Sequence, residues 1–198
     1  MDDDSATEIL EATYRALCRH GYADLTIEDI ATETDRSESL VHYHYDSKEN
    51  LFTEFLDFLY DRFTTQLTST GGATPRERLF VPIETFAAEE SAPGRELRTP
   101  MLAVTAQAPY DDAIQEELRT FDEFLFEHLR EAIADGVDAG EFNERVDPTV
   151  AAEFLTTMIT GAHVRQVTVD HSTERLSETV AQHAEAQLVE DETTEAVH

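Results

Sequence analysis

Apolar residues recur along this chain with the spacing of a helix almost from end to end. Ala6, Ile9, Leu10, Thr13 and Leu17 share one face of a first segment, and Gly21 follows as a stop signal. "LTIEDIATET" opens on Thr26 with Asp29 three residues later, close to a capping box, and sets Ile27, Ile30 and Ala31 on one side. "TDRSES" is a polar turn, and Ser37 stands where it would cap a short helix running to about Tyr45. Ser47 is placed to cap the next helix, whose wide stripe is Leu51, Phe55, Phe58, Leu59 and Phe63. "TSTGGATP" breaks it, and Pro75 suits a first helical position. "ESAPGRE" and "APYDDA" predict two further breaks. From Asp111 a long helix carries Ile114, Leu118, Phe121, Leu125, Leu129 and Ile133, and ends in "DGVDAGEFNERVDP". Asp147-Pro148 starts a helix to about Val169, and Leu176 to Leu188 forms the last one. The β-branched "HVRQVTVDH" would also suit a strand, but no second strand offers itself as partner. The tail "EDETTEAVH" reads as disordered. The pattern predicts an all-α protein of about nine helices: a three-helix unit over residues 1–47, then a helical bundle over 48–198.

Composition narrows the classes. A chain of 198 residues, 40% of them hydrophobic and eleven of them phenylalanine, buries a real core despite a formal net charge of -29. It holds 43 acids against 14 bases, and Lys48 is the single lysine. Such a chain repels itself in dilute buffer; at roughly 1 M salt the Debye length falls to about 3 Å and most of the repulsion is screened. The balance resembles proteins from organisms that keep molar salt in the cytoplasm. A lone cysteine, Cys18, leaves no internal disulfide or cysteine zinc site and reads as a buried structural thiol. No long apolar run appears, and "MDDDSATEIL" is acidic where a signal peptide is basic, so a cytoplasmic protein with no membrane partner is expected. Enzyme chemistry finds no footing. Gly71-Gly72 reads as a turn rather than a phosphate loop, and the only Glu-x-x-His pair, Glu195 and His198, lies in the tail. No cofactor and no metal are expected.

One stretch carries chemistry. "SLVHYHYDSKENLF", residues 39–52, crowds two histidines and two tyrosines ahead of Lys48. Three short helices with a tight turn between the second and third are a helix-turn-helix, whose third helix faces the major groove. At about 100° per residue, Val41 and Tyr45 fall on the packed side. Ser39 and Tyr43 point away, Leu40 and His42 flank them, and His44 lies nearer the core. The exposed face offers a hydroxyl, an aliphatic group, an imidazole and a phenol, which suit phosphates, a thymine methyl and base edges. His42 and His44 diverge by about 200° on a helix, so one metal ion cannot take both. An acidic partner-binding or structural bundle is the alternative; it leaves the turn, caps and polar face of residues 26–48 unexplained.

"LTIEDIATETDRSESLVHYHYDSKENLF" resembles the DNA-binding signature of the TetR/AcrR transcriptional regulators. Thr26, Ile30, Ala31, Ser37, Val41, Tyr45, Lys48 and Leu51-Phe52 sit in register with it, and the rest of the chain agrees in layout, including a "G-x-x-x-G-x-F" break at Gly136 to Phe142. The resemblance implies a homodimeric repressor of double-stranded operator DNA, released by a small-molecule effector. It implies DNA contacts at Thr26, Ser37, Ser39, Leu40, His42, Tyr43, His44 and Lys48. Two departures stand out: Asp35 replaces the usual turn glycine, and Arg36 replaces the small apolar residue after it, either laying its stem over the core or reaching for the DNA backbone as a further contact. The effector cavity of such a body would draw on Phe55, Tyr60, Phe63, Phe86, Met101, Phe121 and Phe124. The dimer would form on the last two helices through Val150, Phe154, Leu155, Met158, Ile159, Val180 and Leu188.

Overall fold

The computed structural model describes residues 2–34, 37–68, 74–87, 92–170 and 172–188. Among them the chain forms nine α-helices and no strand: α1 (Asp2–Asp24), α2 (Ile27–Glu33), α3 (Glu38–His44), α4 (Lys48–Thr68), α5 (Pro75–Ala87), α6 (Ala92–Thr105), α7 (Asp112–Asp138), α8 (Pro148–Val169) and α9 (Thr173–Leu188). A single 3-10 turn, Ala108–Tyr110, precedes α7. None of the helices is long and apolar enough to cross a membrane. Asp35 and Arg36, the Gly71-Gly72 turn and the acidic tail lie outside the described residues.

The caps are where the sequence puts them. Gly21 breaks α1 with φ 72°, a left-handed conformation glycine takes at no steric cost. Asn50 N donates to Ser47 Oγ at 3.1 Å, and Asp147 accepts from Thr149 N and Val150 N ahead of Pro148. Asp111 likewise accepts from Ala113 N and Ile114 N. Thr74 and Glu77 exchange a reciprocal pair of bonds that starts α5. One expectation fails: "ESAPGRE" is not a break throughout, because α6 already begins at Ala92. Pro93 falls in the first turn, where no amide partner is due, so the proline opens the helix rather than preventing it. The β-branched run at 163–169 stays helical and ends at Asp170, which sits in the left-handed region at φ 49°.

Packing divides the chain into two compact units: Met1–Thr65 with Ser91–Phe121, and Gln66–Glu90 with Asp122–His198. In the first, Ile9, Leu17, Ile30 and Val41 are sealed by Leu51, Phe52 and Phe55 of α4 and by Val104 of α6. Residues 1–47 are therefore not a packing unit by themselves. They lack a lid, and α4 and α6 supply it. Phe52 and Phe55 meet edge to face at 5.9 Å and are fully buried, each burial contributing about 1.5–3 kcal/mol. Cys18 is only half-buried, because it lies on the flank of α1 between buried Leu17 and exposed Arg19.

In the second unit α5 packs on α8 and α9, and α8 on α9. Arg76 pairs with Glu185, and Arg78 with Asp135 at 2.5 Å. The Arg78 carbonyl lies 3.2 Å from His128 Nε2, which must carry the proton, since a carbonyl only accepts. Burial holds the His128 pKa below its ordinary value. At the end of α7, Glu141 N donates to Gly136 O at 2.8 Å and Gly140 N to Val137 O at 3.0 Å, with Gly140 at φ 71°. That pair of bonds is a Schellman motif. It folds Phe142 back onto Gly136, where an added Cβ would lie 2.2 Å from the ring. Gly136→Ala is accordingly expected to lower stability by about 1–3 kcal/mol through overpacking. Urea unfolding at high salt measures it. Phe142→Leu should cost less in the Gly136→Ala background than alone.

Candidate nucleic-acid interface

The helix-turn-helix is held from both ends. Thr26 caps α2: its Oγ1 accepts from Asp29 N at 3.2 Å, and Asp29 Oδ2 accepts from Thr26 N at 2.9 Å and from the Thr26 hydroxyl at 2.6 Å. These bonds hold the Asp29 carboxyl below its ordinary pKa. The Thr26 hydroxyl proton is thus already given to Asp29, beside a carboxylate, which weighs against a direct phosphate bond from this residue. Ser37 stands at the N-cap of α3, but its hydroxyl makes no cap bond. Arg36 lies outside the described residues.

The faces of α3 fall as the 100° step predicts. Val41 and Tyr45 are buried, and burial, with Glu54 nearby, pushes the Tyr45 phenol up to about 12. Ser37, Ser39 and His42 are exposed, Leu40 and His44 are half-buried, and Tyr43 is 74% exposed. The Tyr43 ring is braced edge-on by His44 at 5.3 Å, which restricts it while leaving its phenol outward.

Three cations of this unit, Arg15, Arg19 and Lys48, are committed within it. Arg15 donates to the Glu33 carbonyl at 3.0 Å, and Arg19 pairs with the Glu33 carboxylate, so both tie α1 to the end of α2. Lys48 Nζ donates to the carbonyls of Tyr22 at 2.9 Å and Leu25 at 2.8 Å. It also sits 4.8 Å over the Tyr22 ring and 5.9 Å over Phe52. Burial lowers the Lys48 pKa; Glu49 and Asp24 work the other way. Burial and the charges of Asp111 and Glu49 raise that of Tyr22. Glu33, Tyr22 and Leu25 carry no local signal of these roles in the sequence. Only the Lys48–Phe52 spacing of four hints at one.

The other predicted positions separate. Phe55 lies in the core of the first unit and Met101 packs against that core. Phe63 and Phe121 pair at 4.7 Å, and Tyr60 is half-buried. On the same two helices, burial and then Asp57 and Glu54 of α4 raise the pKa of Glu117 of α7. Phe124 belongs to the second unit and stacks on His128 at 6.0 Å; the Phe86 side chain lies outside the described residues. Of the expected dimer positions, Leu155, Ile159, Val180 and Leu188 are buried inside the subunit. Buried where α5, α8 and α9 pack on one another, they are not open to a partner. Val150 is 65% and Phe154 43% exposed, with Met158 half-buried. No three His, Cys, Asp or Glu side chains among the described residues are placed to hold a metal ion.

A capped bracing helix and an exposed polar helix, seated on a helical core, define a helix-turn-helix DNA-binding regulator. Residues 9–55 match the family described as bacterial regulatory proteins, tetR family, and residues 75–189 match the BetI-type transcriptional repressor C-terminal domain. The chain belongs to the TetR family of transcriptional regulators, a non-enzymatic family whose members bind DNA operators and small-molecule effectors. It is 25% identical over 174 residues to the HTH-type transcriptional repressor AcnR of Corynebacterium glutamicum, covering 88% of this chain and 87% of that one. A TetR transcription regulator from Haloarcula marismortui is 36% identical and superposes with a TM-score of 0.87 over 94% of this chain and 99% of its own. A putative regulator from Saccharomonospora viridis, solved with choline, shares the fold at a TM-score of 0.85 and 23% identity, covering 96% of this chain and all of that one.

The cap itself is testable. Thr26→Ala removes the two bonds made by the Thr26 hydroxyl, leaves the backbone N–H of residue 26 to donate to Asp29, and should cost about 1 kcal/mol of stability. Thermal unfolding at fixed high salt reads this, and an unchanged midpoint would show the cap to be idle.

Proposed function

We propose that the protein is a homodimeric repressor that reads operator DNA with α3 and releases it on binding a small molecule. The observation that carries this reading is the outward face of α3, where Ser39, His42 and the 74% exposed Tyr43 present uncharged donors beside the exposed Glu38 of the first turn. These groups donate to phosphates and hydrogen-bond base edges, while half-buried Leu40 suits a thymine methyl. Ser37 and His44 flank them as phosphate donors, and Arg36 in the turn belongs to the same proposal. Repression follows from likeness to AcnR, a repressor, and to the BetI-type repressor domain.

Residues 1–50 hold thirteen acids and four bases, Arg15, Arg19, Arg36 and Lys48. Arg15, Arg19 and Lys48 are bonded within the unit, so few cations remain to displace DNA counterions. Ordinary binders lose affinity steeply with salt. Here operator affinity should change little or rise between about 0.2 and 2 M potassium chloride, where screening nears completion. A gel shift with the DNA flanking the protein's own gene, with folding checked at each salt, tests this. Tyr43→Ala should weaken specific binding by about 1–3 kcal/mol and relax preference at one or two base pairs. Unchanged affinity and preference would remove α3 from the interface.

A second copy is proposed to cover the exposed side of α8. Val150 and Phe154 lie one helical turn apart, and the Phe154 ring rests 4.9 Å from His183 of α9, so both helices meet at this face. Phe154→Asp should give folded monomers by light scattering. Ile159→Asp, at a buried position, should instead unfold the chain. A stable dimer from Phe154→Asp would move the interface elsewhere.

The effector proposed is a neutral or cationic organic molecule. The Phe63–Phe121 pair and the carboxylates of Glu54, Asp57 and Glu117 share α4 and α7, and aromatic faces beside acids attract cations and repel anions. The Saccharomonospora viridis relative was solved with choline, a cation of that kind.

A further inference from the structure

Lys48 occupies the position at which the family resemblance implies a phosphate contact, yet its ammonium is directed into the protein. Its hydrogen bonds go to the carbonyls of Tyr22 and Leu25, at 2.9 and 2.8 Å. Both carbonyls belong to the stretch after the Gly21 break, and α1 has no basic residue in its last turn to serve them. Leu25 immediately precedes Thr26, the cap that starts α2. On the other side, only Tyr45, Asp46 and Ser47 separate the end of α3 from Lys48, and Tyr45 is buried. One side chain therefore joins the entrance of α2 to the exit of α3. The rings hold it there: the ammonium lies over Tyr22 and nearer the edge of reach over Phe52, and those two rings meet edge to face at 4.8 Å. A cation between aromatic faces and two carbonyls is desolvated and directional, unlike a lysine waiting in solvent for a phosphate.

We propose that Lys48 is a positioning residue: it clamps the end of α1 to the start of α4 and so fixes the seat of α3 in the groove. Phosphate neutralisation is not its main task. The proposal rests on the operator-reading role of α3 and adds to it the device that fixes that helix in place.

The two roles differ in what salt and sequence do to binding. A lysine that neutralises a phosphate contributes about 0.9 to the slope of log affinity against log salt, and it acts on all sequences alike. A clamp contributes nothing to the slope and acts on the specific complex, where the seat of α3 matters. Lys48→Met keeps the stem and removes the charge. It should lower operator affinity about tenfold or more, leave random-DNA affinity within about twofold, and leave the slope as in wild type. Lys48→Arg keeps the charge but cannot set one ammonium between two carbonyls, and should behave like Lys48→Met. All are compared at a salt and temperature where circular dichroism shows the dimer fully folded. Full rescue by arginine, or equal loss on operator and random DNA with a shallower slope, would overturn the clamp. Should Lys48→Met fail to fold, the wild-type protein carries its own reporter. Labelling with nitrogen-15 lysine yields one ammonium signal, because Lys48 is the single lysine. That signal should be slow to exchange in the free protein and unshifted on adding operator; rapid exchange, or a large shift with DNA, sinks the proposal. If wild type does not distinguish operator from random DNA, the reading role of α3 fails instead, and the exchange rate still reports the clamp.

Discussion

The entry of α4 into the core of the first three helices is the contact on which the rest of the first unit depends. Leu51, Phe52 and Phe55 arrive from a helix that the chain reaches only after α3, yet they are fully buried against Ile9, Leu17, Ile30 and Val41. A seven-residue α2 and a seven-residue α3 are too short to be stable by themselves. They persist because an apolar floor is supplied from outside them. The DNA-reading segment is accordingly a functional division of the chain rather than a packing one. Any displacement of the first turns of α4 must reach α3, since three residues join them and one of those, Tyr45, is part of the core.

Charge imposes the second constraint. A chain at -29 has few cations, and the first unit uses Arg15, Arg19 and Lys48 as internal ties. Arg15 and Arg19 converge on Glu33, and Lys48 serves two carbonyls, so the basic groups brace the backbone while uncharged donors face outward. Exposed ion pairs contribute little individually, typically under 1 kcal/mol, and molar salt screens them further. The Lys48 contacts are less vulnerable because the side chain is half-buried and bonds its two carbonyls directly, at 2.9 and 2.8 Å, with no room for an ion between them.

Much of this was legible in the sequence because it is local. Thr26, Ser47 and Asp147 announce their helices through bonds spanning two or three residues, and the faces of α3 follow from helical rotation alone. What escaped was either conditional or distant. Pro93 and Gly94 look like a break but lie within the opening turns of α6. Leu155, Ile159, Val180 and Leu188 announce burial, but apolarity does not say whether the cover is the same subunit or another; α8 and α9 cover each other. Phe55, named for a cavity, fills the core instead. Lys48 was recognisable as a special lysine, but its partners lie 23 and 26 residues away, beyond any periodic pattern.

The outward phenol of Tyr43 has an optical side. The chain contains six tyrosines and no tryptophan, so no indole outshines the phenols or drains their emission. Tyr45 is sealed in the core and Tyr110 stands exposed on the turn before α7, while Tyr43 alone among these three lies on the exposed face of α3 that is proposed to meet bases. Nucleobases stacked near a phenol drain its excited state, and a buried or remote phenol is spared. If α3 reads bases as proposed, the protein carries on that helix a native fluorophore whose brightness would follow what the helix touches.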